Sequence, residues 1–220
     1  FTLSTGLFNS SNSNTRTIAF GTGQISCGGT GTVWTTSTVT GLTTTGTQVV
    51  NVTSVGSTAI TVYAGQLLEA NSISFNFTGG TYLLLLGYLT GTPAVRNLNF
   101  TGYAGTFIID TGANTLDFAL TFDGVGGTFQ LQDALTMSST KIATLTNGTL
   151  NLNGFTYTVG TRFGTAAGTK NLTFNGGTLV CPTASVSSFS NTQPTNFTTT
   201  AGTGTGTISM TAATAKTFVG

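Results

Sequence analysis

The stretch TRTIAFGTGQISC (residues 15–27) is nearly rewritten as VRNLNFTGYAGTF (95–107) and again as TKNLTFNGGTLVC (169–181). Each version opens on a cation, alternates polar residues with an aliphatic and an aromatic, turns on Gly or Thr, and closes on an apolar residue. A catalytic motif has no need to recur, whereas a structural unit does. The correspondence runs outward from these windows. Arg16 and Lys170 lie 154 residues apart, as do Cys27 and Cys181. Trp34 and Phe189 lie 155 apart, LTTTG (42–46) answers FTTTA (197–201), and YAG (63–65) answers FVG (218–220). The middle version is looser, with Arg96 80 residues after Arg16 and 74 before Lys170. TYLLLLGYL (81–89) matches FTYTVGTRF (155–163) and the opening FTLSTGLF (1–8). The chain thus reads as three tandem units, 1–80, 81–154 and 155–220, in one continuous body.

Inside each unit the period is two. TIAFG, VVNVTSV, AITVYAG, SISFNF, TLNLNGFTYTV and NLTFNG alternate apolar residues with Thr, Asn or Ser, the signature of strands with one buried face. Gly-Thr, Gly-Gly and Asn-Gly punctuate the runs, and these residues tolerate positive φ. AGQLLEANS (64–72) is the sole candidate for a helical turn. The expected class is all-β.

Composition narrows the choice of architecture. Of 220 residues only 5% are charged, with a formal net charge of +1, against the ~25% charged residues of ordinary domains. The 16 Phe, five Tyr and one Trp exclude a disordered chain. Open sheet edges are usually guarded by charge, which is scarce here. A parallel β-helix or β-solenoid pairs each coil with the next and needs no such guard. With roughly 25 residues per coil, the chain makes about eight or nine coils and a rod of roughly 40 Å. Tandem β-sandwich domains are the alternative, and a single β-barrel comes third. On the solenoid reading Cys27 and Cys181 are free, buried and about 30 Å apart, beyond the ~7 Å that a disulfide spans.

The near-neutral balance gives no reason to expect nucleic acid or an anionic membrane as partner. TYLLLLGYL is too short for a bilayer, which needs ~20 residues, and reads as a buried strand. The chain begins at Phe1 without Met or signal peptide and is expected to be a processed or truncated stretch of a longer protein.

Residues able to carry chemistry are few. There is no His, so His-based triads and His metal sites are excluded. The carboxylates are Glu69, Asp110, Asp117, Asp123 and Asp133, four of them in the middle unit. Asp117 and Asp123 are the weak candidates for a Ca²⁺ site or for a glycosidase pair; the plain alternative is a solvated acidic side. GTGTVW (29–34) and GTGTGT (202–207) contain G-x-G but lead into no helix, so they are not phosphate loops. The recurring cations Arg16, Arg96 and Lys170 are either outward turn residues that keep coils soluble or bond a carbonyl, or a stripe for surface contact. Phe20, Phe100 and Phe174 share a slot and are expected to form an internal stack, while an exposed Trp34 or Tyr103 would suit a sugar. Formal N-glycosylation acceptors stand at Asn9, Asn51, Asn76, Asn99, Asn147, Asn171 and Asn196, with Asn51, Asn99 and Asn171 as the leading candidates.

SNSNTRTIAFGTGQISCGGTGTVW (11–34), NLTFNGGTLVC (171–181) and TGTGTISMTAATAKTFVG (203–220) resemble the Gly/Thr/Asn-rich repetitive proteins of tailed phages and environmental viruses that are taken for tail fibres or other virion appendages. That resemblance implies a surface-exposed, fibrous, non-enzymatic protein without cofactor, self-associating into a fibre or homo-oligomer. It supplies no catalytic residues. A cell-surface glycan is the further partner expected of an adhesin or spike, and a polysaccharide-degrading tailspike is the more distant alternative.

Overall fold

A computed structural model describes residues 1–36, 38, 40–54, 59–63, 73–79, 82–86, 96–102, 104–181 and 188–211. Among them the chain is all-β and winds as a parallel β-solenoid with three walls. Glu69, Tyr103 and the AGQLLEANS segment lie outside the described residues.

The first wall stacks nine rungs in parallel register. They are β1 (Thr2–Thr5), β4 (Gln24–Cys27), β7 (Gln48–Val52), β9 (Ile73–Phe77), β11 (Arg96–Thr101), the first half of β14 (Ala119–Leu131), the first half of β16 (Ile142–Asn151), β18 (Arg162–Thr165) and β21 (Phe189–Ser190). The second wall holds β2 (Phe8–Asn9), β5 (Gly31–Thr35), β8 (Ala59–Tyr63), β10 (Tyr82–Leu86), β12 (Thr106–Asp110), the second halves of β14 and β16, β19 (Lys170–Thr173) and β22 (Phe197–Thr200). The third wall is described in two parts. One is β3 (Arg16–Gly21) with β6 (Leu42–Gly46); the other is β13 (Thr115–Leu116), β15 (Leu135–Met137), β17 (Thr156–Thr158), β20 (Thr178–Cys181) and β23 (Thr207–Met210). Seven turns are therefore described on all three walls, and two more on two walls.

Alternation does the sorting. On the first wall Ile25, Cys27, Val50, Val52, Phe75, Phe77, Leu98, Phe100, Leu120 and Phe122 all point inward and are buried. Register places like on like: Phe77 lies opposite Phe100, and Phe100 opposite Phe122. Their rings stack at 5.2 and 5.4 Å with interplanar angles of 17° and 8°. Each buried Phe stabilises by roughly 1.5–3 kcal/mol, so this internal column is a large share of what holds successive turns together. Phe107 and Phe129 of the second wall close on Phe100 at 5.3 and 5.9 Å, joining two walls across the interior.

Turn length varies, from 20 residues between register partners Ala143 and Phe163 to 29 between Thr178 and Thr207. Pairing runs without a break across both expected unit boundaries: Phe77 pairs with Phe100 over position 80, and Leu135 with Tyr157 over position 154. The 74–80-residue spacing seen in the sequence is three turns plus one wall. Arg16 opens a third-wall strand, Arg96 a first-wall strand and Lys170 a second-wall strand. Cys27 closes a strand of the first wall and Cys181 one of the third. Phe20, Phe100 and Phe174 accordingly do not stack on one another, although all three are buried; the stack at Phe100 is with its register neighbours. Copies that resemble each other in sequence face different sides of the rod because all three walls ask for the same strand-and-corner chemistry.

Neither cysteine is in a disulfide, and both are buried. They stand six turns apart, about 29 Å at the strand spacing.

One corner departs from the regular turn. Between Asp123 and Thr128 the register with β16 shifts, and residues 124–127 bulge outward opposite Gly148. Gly148 has φ +89°, and a Cβ there would lie 2.6 Å from the Gly127 carbonyl oxygen and press on that of Gly124. The bulge exposes Val125 at 74%.

Candidate functional site

Of the two simple readings of the cation slot, carbonyl bonding is what Arg16 and Lys170 do. Lys170 shares the inward phase of Leu172 and is 1% exposed. Its Nζ donates to the carbonyls of Gly168 (2.8 Å) and Thr195 (3.3 Å). Burial lowers its pKa from the ordinary 10.5. Arg16 donates through Nη1 to the carbonyls of Asn14 and Thr40, through Nη2 to those of Ser10 and Thr38, and through Nε to Ser10 Oγ. It ties the loop before β3 to the corner before β6. Arg96 opens β11, and its side chain lies outside the described residues. A buried Lys170 offers no charged surface, so it takes no part in a contact stripe.

The acids are engaged separately. Asp117 Oδ1 faces Lys141 Nζ at 3.6 Å, with both side chains mostly buried. Asp123 Oδ1 accepts from Asn147 Nδ2 at 2.7 Å. Asp110 Oδ1 accepts from the Gly112 amide. Asp133 is the most used: it accepts from the Thr111 amide (2.9 Å), Thr111 Oγ1 (2.8 Å) and the Ala113 amide (2.8 Å). It staples the corner of one turn from the next, including Ala113 at φ 59°. Among the described residues no three His, Cys, Asp or Glu side chains gather where they could hold a metal ion.

The outward faces carry polar ladders. On the first wall Asn99 Nδ2 donates to Asn76 Oδ1 (2.9 Å), Asn76 Nδ2 to Asn51 Oδ1 (2.9 Å), and Asn51 Nδ2 to Gln24 Oε1 (2.7 Å). The three asparagines belong to one register column that reads Ser4, Ser26, Asn51, Asn76, Asn99, Thr121, Thr144, and Gln24 reaches it from two residues before Ser26. On the second wall Asn151 donates to Gln130 and Asn175 to Asn151, while Asn171 Oδ1 accepts from Thr198 and Thr200. Three of the leading glycosylation candidates thus have the atom that would carry a glycan already donating: Nδ2 of Asn51 and of Asn99 along the ladder, and Nδ2 of Asn171 to Thr173 Oγ1.

Of the two aromatics that would suit a sugar if exposed, Tyr103 lies outside the described residues and Trp34 is internal. Trp34 is fully buried, stacked on Phe8 at 4.4 Å and edge-on to Phe75 at 5.6 Å. Its Nε1 and the Ser188 hydroxyl are buried without a hydrogen-bond partner among the described residues. Tyr157, also buried, donates to Met137 Sδ at 3.0 Å. Burial, with Cys181 close by, pushes its hydroxyl pKa well above the ordinary value. Burial pushes the Cys27 thiol up to about 11, against a smaller opposing effect of a hydrogen bond with the Phe8 backbone.

Beside the bulged corner runs an open groove of about 390 Å³, lined by Val125, Gly126, Gly127, Thr149, Asn171 and Thr198 among others. Its exposed surface is mostly apolar, with polar groups from Thr149, Thr169, Asn171 and Thr198, and Lys170 also lies in its lining. No single stretch of sequence reveals the groove, because it joins residues from four successive turns.

Comparison of the chain with protein-family models, with curated proteins and with solved structures gives no match.

Proposed function

We propose that the chain is a non-enzymatic structural segment of an extracellular fibre or virion appendage, working through rigidity, self-assembly and surface contact. The supporting observation is the unbroken parallel ladder, reinforced inside by the Phe77–Phe100–Phe122 column and outside by chained amides. A body held in this way resists bending because every turn is bonded to its neighbours along its length. Electron microscopy over a concentration series is the test. Rods of constant width that lengthen with concentration are the expected result; dispersed globular particles at every concentration would remove the proposal.

One observation favours a second reading, a glycan-binding adhesin. The groove beside Val125 falls within the ~300–1,000 Å³ of ordinary ligand sites and offers hydroxyl and amide groups. A glycan array with the natural chain and a Val125→Asp variant decides it. Silence of both on the array ends this reading.

A further inference from the structure

The three outward faces are not alike in how their polar groups are used. On the first and second walls amides bond one another and some neighbouring hydroxyls, while Thr121 and Thr144 of the first wall and Thr128 and Thr149 of the second take no protein partner among the described residues and share their columns with these amides. On the third wall Thr136, Thr158 and Ser209 form one outward column and Thr156, Thr178 and Thr207 the next, with Val180 completing the first. All are exposed or half-exposed, and among the described residues their hydroxyls take no protein partner. The strands of this wall from β13 to β23 contain no Asp, Glu, Lys or Arg.

We propose that this face organises water and binds the surface of ice. The columns make a fixed two-dimensional grid, with about 4.7–4.9 Å between rungs and about 6.6–6.8 Å between alternate residues of a strand. Threonine suits such a grid because its β-branched side chain has few rotamers, so hydroxyl and methyl positions are set by the backbone. The hydroxyls anchor water at regular points, and the methyls between them restrict the orientations of the water around them. Ice repeats its oxygens in two directions at intervals of the same order. A preformed grid loses little conformational freedom when it meets a periodic surface. Charge also agrees: an uncharged lattice suits the stretch of this wall from β13 to β23, whose strands carry no ionic side chain, because a charged group would keep its own hydration shell and break the register. The inference is independent of any role in a fibre, since it concerns one face of the rod and not its ends.

The test is ice-recrystallisation inhibition and thermal hysteresis by the 220-residue chain, with an inert globular protein at equal mass as reference. Thr178→Lys puts a cation at the centre of the grid, and Thr121→Lys makes the same change on the first wall. Circular dichroism checks that each is folded, and Thr207→Lys replaces Thr178→Lys if the latter is not. The natural chain and Thr121→Lys are expected to slow ice growth equally, and the third-wall variant to lose that effect. A natural chain no different from the reference overturns the proposal. So does equal loss in both variants, or full retention in the third-wall variant. Retention on crystalline polysaccharide without any effect on ice would likewise overturn it and assign the wall to a different lattice.

Discussion

Asn76 shows how a single side chain serves the rod. It donates to Asn51 and accepts from Asn99, so one amide joins three turns. Asn76→Ala is expected to cost about 1–3 kcal/mol, the range for losing hydrogen bonds and stranding their partners. Urea unfolding should show this, while Thr121→Ala in the same column should stay within about 0.5 kcal/mol. Cys27 makes a different prediction. Its thiol ionises only near pH 11 in the fold but near its ordinary 9.0 when unfolded. Between these values the native state holds the extra proton, so stability attributable to Cys27 is intact below pH 9 and falls as pH rises toward 11. Lys170, with its pKa lowered, acts in the opposite direction. The unfolding midpoint of the natural chain relative to Cys27→Ala, followed from pH 8 to 11, isolates the first effect. A difference that is flat or rises over that range would contradict the assigned burial. The inward place of Lys170 was in fact legible: in KNL it shares a phase with Leu172, just as Arg16 shares one with Ile18 and Phe20. The usual expectation that cations face water hid that signal.

Among the elements, strands were the most readable part, because β11, β20 and the second half of β16 each carry an alternation that the buried face follows. Corners were less so. Their positions follow from Gly, Asn and Thr, but their geometry depends on the adjoining turn, which no local window contains. Gly148 illustrates this. It is a glycine both because its φ is positive and because the bulge of the previous turn leaves no room for a Cβ. Gly126 also has positive φ, at +74°, but has open space around it. Alanine at Gly126 should cost only the ~1–2 kcal/mol of a left-handed residue, whereas Gly148→Ala should cost clearly more. Thermal unfolding of the two variants separates crowding from backbone preference; equal losses would mean that crowding is relieved by movement of the bulge. The groove beside Val125 stayed invisible in the sequence for the same reason, since its walls come from turns that are remote in the chain.

For the whole molecule, stability should be graded along the axis. A solenoid contacts only its neighbours, so inner turns are held from two sides and outer turns from one. In the 220-residue chain, hydrogen exchange is expected to be slowest in β14 and β16, which run 13 and 10 residues and pair with strands on both sides, and fastest in β1 and β2. Uniform protection from end to end would indicate an all-or-none unit instead. The unit of 74–80 residues that announced the architecture also misled about its symmetry: it counts three turns and a wall, and the extra wall left no mark because the three faces are built from one vocabulary. That odd remainder has a geometric outcome. A segment copied at this length reappears a third of the way around the circumference, so successive duplicates point toward different compass bearings. Lengthening such a rod by duplication would distribute any inherited surface feature in a slow spiral, making the shaft addressable from every side.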